Sequence, residues 1–283
     1  MAITQPKPAA PVRGARANST VAAMPAPVRG LLAEVAGMVL IVVVTLRDFF
    51  RNPLAQWREI VDACWTVARR CTVPLAVSVF VLGFGALGVE AGVVLDAVGS
   101  PDRTGGVYVT AAVREIATWA TAMVVAGVAG TAITADLGAR KIREELDALQ
   151  VLGVKPTRLV IPWAMALTLM TPLLLLVAIA SCIVSGFFAV LLLYNTTIPG
   201  FVETFKANFY PPELLSSLVK TAIFGIIIAI VCCYKGMNAK GGPQGVGRAV
   251  NQAVVISFAA LWIVNYAITS IVLVLFPELH GLR

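Results

Sequence analysis

The chain has 283 residues, 59% of them apolar and only 13% charged, with a mean hydropathy of +0.87. Soluble domains run at about 45–50% apolar and about 25% charged. This composition therefore excludes an ordinary soluble enzyme, a secreted disulfide scaffold and a disordered chain, and predicts an all-α polytopic membrane protein. The net charge of +7 needs no nucleic-acid partner if the cations gather on cytoplasmic loops, as they do in membrane proteins.

Residues 1–30 are rich in Pro and Ala and carry Lys7, Arg13, Arg16 and Arg29 without an acid. They predict a disordered basic tail. No apolar core and cleavage site follow at signal-peptide spacing. Residues 31–46 are apolar but hold Glu34 and are short for a span of about 20 residues. Residues 47–70 are amphipathic, with Trp57, Trp65 and several arginines. We read 31–70 as interfacial or elbow helices on the inner leaflet; the alternative for 31–46 is a tilted extra span.

Residues 71–283 hold five apolar blocks, at about 74–98, 107–135, 159–194, 214–234 and 249–276. The third would make a helix of about 54 Å, against a hydrocarbon core of about 30 Å. Its middle offers only Ser181, Ser185 and Gly186 as a turn, which a helix tolerates. One long helix is predicted, with Pro162 and Pro172 as candidate kinks. Five spans put loops 136–158 and 235–248 on the side of the N-terminus. These loops carry Arg140, Lys141, Arg143, Lys155, Arg158, Lys235, Lys240 and Arg248, whereas loops 99–106 and 195–213 carry Arg103 and Lys206. The positive-inside rule then predicts a cytoplasmic N-terminus and a C-terminus outside.

The first basic loop reads as a helix. Leu137, Ile142, Leu146, Leu149 and Leu152 recur at helical spacing, Arg140, Lys141, Arg143, Glu144, Glu145 and Asp147 supply charges of both signs, and Gly153 and Pro156 stop it. Such a helix between two spans suits a push from a soluble partner; the plainer reading is a helix lying on the lipid surface. The second basic loop, Gly241 to Gly247, is glycine-rich but lacks the Lys and Ser/Thr of a phosphate-binding loop, which predicts a turn. Cys64, Cys71, Cys182, Cys232 and Cys233 show no CxxC pattern, and His280 is the single histidine. The cysteines are read as packing residues, and no metal site is predicted.

Ionisable residues inside spans are costly and mark function by default. Glu90, Arg114, Glu115 and Lys220 qualify. Arg114 and Glu115 point about 100° apart on a helix, so each is expected to find a partner on another helix. A Glu90–Arg114 pair is one possibility, and Lys220 is expected to snorkel. Gly88, Gly92, Gly127 and Gly130 are the candidates for close helix contact.

The stretch from Ala112 to Phe188 resembles the MlaE/YrbE permease family of ABC lipid transporters. The residues that carry the likeness are Arg114-Glu115, the small-residue run Ala126 to Ala132, Asp136-Leu137-Gly138-Ala139, Arg143 to Leu149, and Val151-Leu152-Gly153-Val154. Gln56-Trp57-Arg58-Glu59 and the segment Tyr234 to Val250 match as well. The likeness covers about residues 50–275 and is similar to the A-type YrbE subunits of actinobacterial Mce systems. Two positions depart from it: Val128 stands where the MlaE branch often has Arg, and Pro162-Trp163 where Pro-Arg is usual.

The resemblance implies that residues 138–152 form the coupling helix, with Arg140, Lys141, Arg143, Glu144, Glu145, Asp147 and Leu149 facing an ATPase. It implies a second YrbE-type permease as dimer partner, an MceG-type ATPase that binds ATP and Mg on the cytoplasmic side, and Mce proteins outside. The substrate would be a lipid, the location the plasma membrane, and no cofactor would bind this chain. A secondary transporter or channel driven by an ion gradient is the alternative; it would want chained carboxylates or histidines in the spans, which are scarce here. An intramembrane enzyme would need a clustered nucleophile and base, and none is apparent.

Overall fold

The computed structural model describes residues 26–51, 56–99, 103–193 and 198–275. The tail 1–25 and residues 276–283, with His280, lie outside them. Every regular element among the described residues is helical. Helix α1 is Ala26–Arg51. Five helices are long and apolar enough to cross a membrane: α2 (Trp57–Ala97), α3 (Thr104–Ile142), α5 (Val160–Leu193), α7 (Pro211–Met237) and α8 (Gly242–Leu275). Between them stand the short α4 (Glu145–Val151) and α6 (Ile198–Asn208). The span count is the one the apolar blocks predict.

The spans alternate in direction. One end of the bundle carries α4 and the α7–α8 turn, with most of the loop cations; we call it the basic end. Helix α5 packs on α2 and α7, and α7 also packs on α3 and α8. The core is apolar, with Leu75 and Val79 of α2, Leu167 and Leu175 of α5, and Phe224 and Ile228 of α7 almost fully covered. Cys71, Cys182, Cys232 and Cys233 are buried among them, as small packing residues. Helix α8 is the least covered span, with 11% of its apolar window buried against 56% in α3.

Three boundaries differ from the sequence reading. Residues 57–70 are not a separate interfacial helix; they continue into the first span, because Val67, Cys71, Leu75 and Val79 form one buried stripe at helical spacing. The 195–213 loop contains a helix, α6. Phe201 is its buried anchor, with its ring centroid 5.5 Å from Tyr108 and 5.4 Å from Phe187. The third block is one continuous helix of 34 residues with Pro172 inside it; Pro162 falls in its first turn, where no helical hydrogen bond is lost.

Helix α1 crosses the basic end. Near its start, Glu34 receives both of its contacts from Lys235 Nζ at 2.9 Å. Near its finish, Asp48 lies 3.8 Å from Lys155 Nζ. Glu34 and Asp48 stand about 21 Å apart along a helix, yet Lys235 ends α7 and Lys155 precedes α5. A helix tied at both ends to the same end of the bundle lies across that end.

Candidate functional site

Two parts of the molecule gather charged side chains, and α3 contributes to both. The first is the turn at the basic end. Helix α3 runs through Lys141 to Ile142 and then breaks: Glu144 is the one non-glycine residue with positive φ among the described residues, at 59°. The expected continuous helix over 138–152 is therefore two pieces. The left-handed residue costs about 1–2 kcal/mol, and it redirects the chain so that α4 folds back on α3 and on the 3-10 turn Pro156–Leu159.

Leu146 anchors α4, with 2% of its surface exposed. Around this anchor, Lys141 Nζ donates to Asp147 at 2.7 and 2.9 Å. Arg143 Nε donates to Glu145 at 2.7 Å, and Arg140 pairs with Asp136 at 3.1 Å. The Arg143 hydrogen bond holds the Glu145 carboxyl below its ordinary pKa, and the same bond raises that of Arg143. Gly153, at φ 77°, closes the element. The break also splits the predicted apolar stripe. Leu137 and Leu146 are buried and Leu149 is half-buried, but Leu152 is 77% exposed, beside Val151 at 89%. Two bare aliphatic side chains thus form the tip of a charged element.

A cleft of about 410 Å³ opens beside this turn. It is lined by Glu59, Asp62 and Thr66 of α2, Asp136 and Arg140 of α3, and Trp163 of α5. Trp163 is thus a wall of the cleft. Behind it the α7–α8 turn packs tightly on α3. Gly241 and Gly242 take φ of 88° and 68°, but the turn ends there: Gly242 to Gly247 already form the first turns of α8, which corrects the expected turn over the whole glycine-rich segment.

The second part lies in the half of the bundle away from the basic end. Arg114 and Glu115 sit on a π-helical stretch, Tyr108–Ile116. They diverge as the helix geometry requires. Arg114 Nε donates to Glu213 Oε1 at 2.6 Å, and Glu213 is 3% exposed. Lys220 Nζ donates to Glu115 at 3.3 Å and to Thr269 Oγ1 at 2.9 Å. Asn265 Nδ2 and Thr269 Oγ1 each donate to Glu115 at 2.8 Å. Two cations and two carboxylates thus close into a neutral network, as a low-dielectric site requires.

This network corrects two expectations. Glu90 is exposed on the flank of α2, and Arg114 pairs with Glu213 instead. Lys220 does not snorkel; it is 4% exposed because three acceptors meet it inside the bundle, the third being the Arg114 carbonyl at 3.3 Å. Glu213, Asn265 and Thr269 were missed. Their signal was present: Glu213 and Lys220 lie two turns apart on one helix face, and Asn265 and Thr269 one turn apart in an apolar run.

The glycines divide. A side chain at Gly88 would come 2.8 Å from Ala189, and one at Gly130 would come 2.8 Å from Cys232 Sγ, so both permit close helix contact. Gly92 is buried, whereas Gly127 is exposed and faces open space.

The family model for the MlaE permease matches residues 60–271. A probable ABC transporter permease protein of Synechocystis is 34% identical over 59% of this chain and 64% of its own length. One from Rickettsia typhi is 32% identical over 58% of this chain and 64% of its own. The chloroplastic protein trigalactosyldiacylglycerol 1 of Arabidopsis thaliana is 32% identical over 59% of this chain and 48% of its own. The chain thus aligns with less than two thirds of each relative's length. The matched region runs from the first span to the last and takes in both charged clusters, so this chain belongs to the MlaE permease family.

Proposed function

We propose that this chain is the permease subunit of an ABC-type lipid transporter in the plasma membrane, driven by a separate ATPase. The observation that carries the reading is the α3–α4 turn. It projects from two spans and is charged on its flanks. It is anchored by Leu146 and tipped with exposed Val151 and Leu152. An element rigidly joined to α3 and α5 passes a displacement of its tip directly into the bundle. The relatives' description as ABC transporter permeases supports an ATPase as the docking partner. That ATPase, of MceG type, would hold ATP and Mg.

The cations at the basic end support a cytoplasmic α4 and N-terminus and an outside C-terminus. Helix α8 offers Trp262, Ile263 and Tyr266 on an uncovered face, which suits a second YrbE-type permease. Mce proteins would then stand on the outer side and receive the lipid.

Charge reversal tests the reading. With Glu145→Lys and Asp147→Lys combined, capture of the ATPase from native membranes should fall at least tenfold. Lipid transport should fall with it, while the melting of the detergent-solubilised chain stays unchanged. Normal ATPase capture and normal transport in that variant would overturn the assignment.

A further inference from the structure

Beneath the second half of α1 lies a crevice of about 140 Å³. Thr45, Leu46 and Phe49 of α1 form one wall, Ala164 and Met165 of α5 another, and Ile230 of α7 closes it. No charged residue lines it. Leu46, on its rim, is 49% exposed, so the crevice is open at that edge. Ala164 and Met165 lie in the second turn of a membrane span, and Ile230 lies two turns before the end of another. The crevice therefore reaches acyl-chain depth in the leaflet at the basic end.

Thr45 sets this crevice apart from a packing fault. It is 8% exposed, and its hydroxyl has no hydrogen-bond partner among the described residues. In the spans, most threonines satisfy themselves on the carbonyl one turn earlier. Thr72, Thr121 and Thr171 do so at 2.6 Å, and so does Thr168 on the opposite wall, bonding Ala164 O. A buried hydroxyl left unbonded is destabilising. Water is a poor remedy, because a buried water needs two to four polar partners and this crevice offers one free hydroxyl. An apolar chain carrying a single acceptor fits both halves of the site. Lys155, 66% exposed at its side chain and 3.8 Å from Asp48, adds a cation at the same end of the bundle.

We propose that this crevice binds one acyl chain of a bilayer phospholipid from the leaflet at the basic end, with the Thr45 hydroxyl donating to the ester carbonyl oxygen. The lipid wedges between α1 and the spans, so α1 is held partly by lipid. The site requires only that the chain is embedded in a bilayer; it does not depend on ATP-driven transport.

The test uses the full chain in phosphatidylglycerol–phosphatidylethanolamine vesicles. These contain a trace of phosphatidylcholine with a diazirine in the upper part of one acyl chain. After illumination, adducts are mapped by mass spectrometry. Residues 42–49 and 161–168 should be labelled several-fold more than the exposed α8 face at 262–274. Thr45→Val keeps the side-chain shape and should lower crevice labelling about five-fold, the effect of one hydrogen bond. Ala164→Phe should abolish it, with α8 labelling unchanged in both variants.

Crevice labelling no stronger than that of α8, or unchanged by Thr45→Val, would overturn the proposal. Labelling by a free diazirine fatty acid but not by the phospholipid would overturn it too. If Ala164→Phe disturbs α8 labelling, the unaltered chain and Thr45→Val decide by the same criteria.

Discussion

Charged pairs form toward both ends of helix α3, and the two ends use them in opposite ways. Toward one end, Arg114 and Glu115 reach Glu213 and Lys220, which are 3% and 4% exposed. At the other, Lys141 and Arg143 reach Asp147 and Glu145 in the open. The residue chemistry is the same and the surroundings differ. In the bundle, each charge must have its counter-charge, because the alternative is an ion without water. At the surface, water satisfies either partner alone, so such pairs add little stability and are free to serve recognition. Completeness is the rule for the first cluster and exchangeability for the second.

The largest effect should come from breaking that completeness. Glu213→Leu removes the counter-charge of Arg114 and should cost about 3–5 kcal/mol, seen as loss of the folded monodisperse species in detergent. Adding Arg114→Met should recover most of it, because a neutral apolar pair needs no partner. Lys220→Met should cost less, about 1–3 kcal/mol, since Glu115 keeps Asn265 and Thr269 as donors. If Glu213→Leu were silent, the network would be ornamental and the contrast with the surface pairs would fail.

Next in size is the anchor of the exposed turn. Leu146→Ala removes the one buried side chain of α4 and should cost about 2–5 kcal/mol. The loss should be local: amides of 145–152 should exchange faster while those of α5 and α7 hold. A uniform rise across the spans would show instead that α4 is part of the core.

Much of this was legible in the sequence because its signals are local. Five apolar blocks gave five spans, and the absence of a turn around Ser185 gave one long third helix. Gly153 marked the end of α4. What escaped were pairings between distant segments. Nothing near Arg114 points to Glu213, 99 residues away, because four charges can be paired in several ways and only the fold chooses. The break at Glu144 was hidden for another reason. Glutamate is a good helix former, and its left-handed conformation is imposed by Leu146 docking back on the bundle. The crevice at Thr45 was equally hidden, since an unsatisfied hydroxyl is a property of neighbours, not of sequence.

The smallest expected effect concerns the open pair itself, and its sign is fixed. Arg143 lowers the Glu145 pKa mainly through their hydrogen bond. A carboxylate with a depressed folded pKa contributes its full stabilisation above its ordinary pKa and loses it as pH falls through the depressed value. Arg143 stays charged throughout, its own pKa being raised. Hydrogen exchange of residues 145–152, corrected for the intrinsic pH dependence of amide exchange, should therefore be flat from neutral pH down to the ordinary glutamate range. It should quicken slightly only below that range. Glu145→Gln should make the profile flat throughout at a slightly raised level, with the spans unaffected. Quickening that begins well above the glutamate range would mean that some group other than Glu145 holds the turn, and that the exposed cluster is not the exchangeable partner of the buried one.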